Sequence, residues 1–121
     1  MHLIAATLVF ALLAAPAMAA GDAANGQRDF SRCAACHAVQ AGHNGIGPSL
    51  AAVIGRHSGT EAGYHYSPGM AGAHITWDDA SLDRFLTNPQ SVVHGTKMFI
   101  AVPDAQQRQD IIAYLATLKQ S

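Results

Sequence analysis

The sequence predicts an all-α protein of three to five helices joined by long loops, and three observations predict it. Apolar residues recur at helical spacing in two stretches, Leu82, Phe85 and Leu86, then Ile111, Tyr114, Leu115 and Leu118. No run of β-branched or alternating residues reads as a convincing strand. Between Ala38 and Tyr66, Gly42, Gly45, Gly47, Gly55, Gly59 and Gly63 break any periodicity. A loop of that length is uncommon in a compact domain unless it is functional.

Each element has its own warrant. Leu3 to Ala15 is an apolar run ending in Pro16-Ala17-Met18-Ala19, ahead of the polar Gly21-Asp22. That pattern predicts a secretory signal peptide over residues 1–19, cut after Ala19, and a single domain over residues 20–121. The apolar run is short for a membrane span, and its start, Met1-His2, has no Lys or Arg. Asp22 to about Cys33 predicts a short helix whose one large apolar group is Phe30. Gly26 within it costs about 1 kcal/mol relative to Ala, so its use is close packing against another helix, expected to be the last. Ser67 to Ala73 predicts one or two helical turns. At Thr76-Trp77-Asp78-Asp79, a Thr cap with Asp at N3 predicts a helix that runs to Asn88 and stops at Pro89. Pro89 to Val93 allows a further turn before the loop Gly95-Thr96-Lys97-Met98. Asp104 caps the last helix, with Gln107 predicted to complete a capping box.

The chemistry starts at Cys33-Ala34-Ala35-Cys36-His37, two thiols about one helical turn apart with an imidazole directly after them. This is the pattern that attaches a c-type haem: Cys33 and Cys36 form the thioether bonds and His37 lies under the iron as proximal ligand. A thioredoxin-like redox pair wants a βαβ context that the flanking sequence lacks. A structural zinc site needs two more Cys or His at short spacing, and the other histidines are scattered. A disulfide between cysteines this close would restrain little of the unfolded chain. Haem attachment is the reading the motif favours.

Composition bounds the partners. The chain has 7 Lys plus Arg against 8 Asp plus Glu, a formal net charge of −1, and all of them follow residue 19. Neither nucleic acid nor an anionic membrane surface is implied by a balance so near zero. Roughly 100 residues without the leader suffice for one domain but make a marginal protein-only core, and a bound haem supplies apolar mass.

These residues resemble the class I cytochrome c family, in particular its mitochondrial and bacterial c2 types. The resemblance is carried in order by Gly26 and Phe30, Cys33 to His37, Gly47-Pro48-Ser49-Leu50, Gly55-Arg56, Gly63 to Ser67, Trp77, Leu82, Asn88-Pro89, Gly95 to Met98 and Ile112 to Leu115. It implies a small cytochrome c fold wrapped around one covalently bound haem. Met98 then becomes the sixth ligand, and with His37 its soft sulfur raises the reduction potential. Met70 is the rival once Met1 and Met18 leave with the leader. The Pro48 carbonyl would accept from His37 Nδ1–H, and Arg56, Tyr66 and Trp77 would satisfy the haem propionates. Gly26 and Phe30 would meet Ile111 and Tyr114 at the crossing of the first and last helices.

Several positions depart from the family's pattern. His94 stands where a Pro usually precedes Gly-Thr-Lys-Met and offers a second possible iron ligand, although a lone His is more often a solvated one. The segment after Met98 leaves open whether Phe99 or Ile100 covers the haem edge. His43, His57, His65 and His74 read as surface or loop residues.

The function implied is that of a soluble one-electron carrier in the periplasm, a monomer passing electrons between redox partner proteins, with no enzymatic chemistry of its own. The alternatives are a haem peroxidase-like enzyme and a gas-binding haem sensor, both needing an open sixth site. Lys97, Arg32 and Arg28 are the clear cations for docking, while Gln90 and Ser91 occupy positions often basic in the family. Encounter is therefore expected to be steered only weakly by charge.

Overall fold

A computed structural model describes residues 9–13 and 20–119. The predicted cleavage segment, residues 16–19, lies outside the described residues. Six helices follow one another among them: α1 (Ala23–Asp29), α2 (Ser31–Ala34), α3 (Pro68–Ala71), α4 (Asp79–Thr87), α5 (Pro89–Val92) and α6 (Ala105–Ala116). Three of these, α2, α3 and α5, are single turns. The only β-pairing among the described residues is an isolated bridge between His57 and Thr76. None of the described helices is long and apolar enough to cross a membrane.

The helix expected over Asp22 to Cys33 divides in two. Asp22 caps α1 by accepting from the Asn25 N–H, and the segment turns at Phe30 before continuing as α2. The turn at Phe30 buries its ring edge-on against Tyr114, with centroids 5.3 Å apart. At Gly26 an added Cβ would stand 1.9 Å from the Asp110 carbonyl oxygen. The backbones of α1 and α6 therefore touch where the sequence expects them to cross. Asp110 closes the contact from the other side, its carboxylate accepting from the Asp22 N–H at 2.9 Å and from Gln106 at 3.0 Å. Those two bonds hold its carboxyl below the usual carboxylate range.

The caps of α4 and α6 correct two expectations. Asp78, not Thr76, caps α4: its carboxylate accepts from the Ser81 N–H while the Ser81 hydroxyl accepts from the Asp78 N–H. Ser81 at N3 is thus the reciprocal partner, and the Thr76 carbonyl accepts from the same hydroxyl. Asp104 caps α6 through the Gln107 N–H, but the Gln107 side chain turns away to accept from Arg32. A longer-range cation wins that side chain from the cap.

The core forms where α1 and α4 each pack on α6, with Leu82, Phe85, Leu86, Ile111, Ile112 and Leu115 buried. Arg108 clamps the loop before α6 to α4, donating to Asp83 at 2.8 Å and to the carbonyls of Val102 and Pro103 at 3.0 and 2.9 Å. The Gly-rich loop packs back on itself. Asn44 accepts from the Ser49 N–H and donates to the Ala62 carbonyl, tying its two halves together.

Candidate functional site

Local geometry gathers the two thiols and the imidazole on one wall. After α2 the chain makes a tight turn in which Cys36 and His37 N–H both donate to the Cys33 carbonyl, at 3.0 and 2.9 Å. Both cysteines are free thiols and half-buried. Burial raises the Cys33 pKa, Arg32 beside it opposes the shift and Cys36 adds to it, so its sulfur is a thiol at neutral pH.

His37 is held on both sides. Its Nδ1 lies 2.7 Å from the Pro48 carbonyl oxygen. A carbonyl only accepts, so Nδ1 carries the proton and Nε2 presents a lone pair. Among the described residues Nε2 has no hydrogen-bond partner. Gly47 forms the floor beneath the ring: a Cβ there would stand 2.4 Å from His37 Cε1. Burial lowers the His37 pKa, against the bond to Pro48 and with the help of the Arg56 charge, so the ring is neutral.

A cavity of about 330 Å³ opens in front of these groups, lined by Cys33, Cys36 and His37, by Met98, and by apolar side chains of the core such as Phe30 and Leu82. Met70 lines it too and is buried, whereas Met98 is half-buried in the loop before α6. Arg56, Tyr66 and Trp77 reach the same cavity. Arg56 is spent on protein partners, a 2.8 Å ion pair with Glu61 and the carbonyls of Ser49 and Ala51. Tyr66 accepts from the Glu61 N–H at 3.1 Å, and burial raises its pKa, leaving the phenol protonated with its own O–H to give. Trp77 packs on Phe85, centroids 5.1 Å apart, and its indole N–H has no partner among the described residues.

The exposed lining of the cavity is mixed, with three apolar side chains beside the cations Arg32 and Lys97. Ile46, Phe99 and Ile100 line it while exposed, Phe99 more so than Ile100. His94 is exposed and does not line the cavity, and His43, His57, His65 and His74 are exposed as expected. Two residues also support the site, Glu61, which sequence reasoning passed over, and Gln90, which it read only as a docking position. Glu61 fixes Arg56 and Tyr66 together, and the Gln90 amide reaches the carbonyls of Thr96 and Met98. No local pattern marks either, because both contacts join segments that only the loop path brings together.

The donor set suits a covalently held haem on its own chemistry. Two unpaired thiols, one bare imidazole nitrogen and the thioethers of Met98 and Met70 line a single, mainly apolar cavity, which suits thioether attachment and ligation by a soft sulfur. A zinc site finds no support, since no group of three His, Cys, Asp or Glu sits close enough to hold a metal among the described residues.

Comparison with known proteins agrees. The sequence model of the family described as Cytochrome c matches residues 23–119. Cytochrome c2 of Rhodomicrobium vannielii is 44% identical over 105 residues, covering 85% of this chain and 84% of that protein. Cytochrome c of Euglena viridis is 50% identical over 101 residues, covering 82% of this chain and 99% of that protein. Among solved structures, cytochrome cH from Methylobacterium extorquens superposes with a TM-score of 0.75 at 42% identity, over 80% of this chain and 99% of that one. With thiols, imidazole and thioether around one cavity and this likeness along almost all of α1 to α6, the chain belongs to the cytochrome c family.

Proposed function

We propose that this c-type cytochrome, an electron carrier, holds its haem c covalently through Cys33 and Cys36 and ligates the iron with His37 Nε2 and Met98 Sδ. The observation that carries the assignment is the His37 ring, fixed by Pro48 through Nδ1 and left with a free Nε2 in the cavity that Cys33, Cys36 and Met98 also line. When bound, the haem supplies a one-electron couple whose potential a His/Met ligand pair raises.

The protein's own groups do the rest. Pro48 fixes the tautomer and orientation of His37 and increases its basicity as a ligand. The Tyr66 O–H and the Trp77 N–H are the donors left over for the haem propionates, with Arg56 adding positive charge at the cavity wall. Phe30, Leu82, Phe85 and Leu86 exclude water from the cavity, which lowers the local dielectric. With His37 and Met98 both serving as ligands, a bound iron would offer no open site for a substrate, and the protein would perform no catalysis of its own. Its partners are larger redox proteins, and its compartment is the periplasm, reached by cleavage after Ala19.

The test is a set of spectra of the purified holoprotein in both oxidation states, repeated on the reduced form under carbon monoxide. Low-spin spectra, the weak far-red band of methionine-ligated ferric haem, and little response to carbon monoxide are expected. A rapid and complete Soret shift on adding the gas would overturn the closed site and favour a peroxidase-like enzyme or a gas sensor.

A further inference from the structure

Between Val93 and Val102 the chain that bears Met98 has no regular secondary structure, and Gly95 within it adopts φ +76°. Something other than a helix or strand must hold the thioether in place. The amide of Gln90 does so: its Nε2 lies 2.7 Å from the Thr96 carbonyl oxygen and 3.2 Å from that of Met98. Both acceptors are carbonyls, so the nitrogen end of the amide faces them, and its two hydrogens serve one each. The base of this strap is rigid. Gln90 follows Pro89, one of the most completely buried side chains, and α5 is capped by Asn88, whose side chain accepts from the Ser91 N–H. Gln90 itself is half-buried, which keeps water from competing fully for the two carbonyls.

We propose that Gln90 is the positioning residue for Met98, a two-pronged amide that fixes the ligand-bearing loop and sets how often the sulfur leaves the iron. A neutral donor is what the place calls for. It satisfies two carbonyls with its nitrogen end and adds no charge beside the haem. The proposal rests on Met98 being the sixth ligand.

The experiment compares holoprotein of wild type, Gln90→Ala, Gln90→Glu and Gln90→Arg. Added imidazole is titrated against the far-red methionine band, and backbone amide exchange is read at residues 95–98. In the Ala and Glu variants imidazole displaces the thioether at about tenfold lower concentration, since two hydrogen bonds no longer oppose opening of the loop. The amides of 95–98 exchange faster by a similar factor. Gln90→Arg, which keeps planar donors and cannot ligate iron, restores both values toward wild type. Equal imidazole affinity and equal exchange in wild type and Gln90→Ala, with the far-red band intact, would overturn the strap. Absence of that band from wild type would instead overturn Met98 ligation, and the exchange of residues 95–98 would still decide the strap.

Discussion

A methyl group at position 47 has nowhere to go. The Gly47 backbone is locked by its N–H to the Cys36 carbonyl at 2.8 Å, so the imidazole 2.4 Å from the added Cβ must move instead. Moving it disturbs the bond to Pro48 and would turn Nε2 out of the direction the proposed ligation needs. Gly47→Ala is expected to cost about 1–3 kcal/mol of holoprotein stability and to convert part of the ferric haem to high spin, read by guanidine unfolding and by the visible spectrum. A full-stability, fully low-spin variant would contradict the close approach. At this scale the sequence was most legible where chemistry is local: Cys33, Cys36 and His37 announce themselves by spacing. Arg56 was half legible. Its place on the cavity follows from the family likeness, but its ion pair with Glu61 does not, because a five-residue separation across a loop has no fixed geometry.

Helices in this protein are short, and their ends decide them. At the crossing of α1 and α6 there is no side chain between the backbones, and Gly26→Ala would drive a methyl into the Asp110 carbonyl. Both atoms belong to regular backbone and cannot swing aside, so a loss of about 1–3 kcal/mol or more is expected in chemical denaturation, with the haem spectrum of the folded fraction unchanged. Asp110 makes the same junction sensitive to acid. Its folded carboxyl lies below its unfolded value, so it stabilises the native state fully above about pH 4 and ceases to do so as pH falls through the lowered value. Asp78 acts with the same sign at the start of α4, held down by the Ser81 N–H. Asp110→Asn is expected to lower stability at neutral pH and to flatten its decline between about pH 5 and pH 2, measured by denaturation at a series of pH values. A decline as steep as that of wild type would place the acid-sensitive group elsewhere. The existence of α4 and α6 could be read from apolar spacing, whereas the α4 cap lies two residues beyond the one expected and the α6 cap lacks its expected reciprocal partner. Thr76, Asp78 and Ser81 all have capping side chains, and the loop's entry angle chooses among them.

Taken whole, the molecule presents a mouth of exposed apolar side chains beside two cations, Lys97 and Arg32, that are engaged by its own groups. Lys97 donates to the His65 carbonyl and sits 5.5 Å over the Tyr64 ring, while Arg32 leans toward Gln107. Ile46 and Phe99, 76% and 77% exposed, are left as the prominent groups at the opening. Electron transfer with a protein partner should therefore slow by less than about tenfold between low and high salt, because strong steering is what salt removes. Stopped-flow rates across that range check it, and a steeper fall would restore the cations to the docking face. The overall arrangement was legible because the chain keeps family order, yet which residues of the mouth stand outward was not. Phe99 and Ile100 differ only by the path of an irregular segment, and both line the opening.

Beyond the turn into α2, α1 finds its packing partner in α6, which ends at Ala116 of a 121-residue chain. The first of the described helices thus packs only once the last of them has formed. Until α1 meets α6 the segment bearing Cys33 and Cys36 has no closed interior to retreat into, and long-range contacts of this kind form late. Late closure of that contact would leave both sulfurs accessible for thioether attachment.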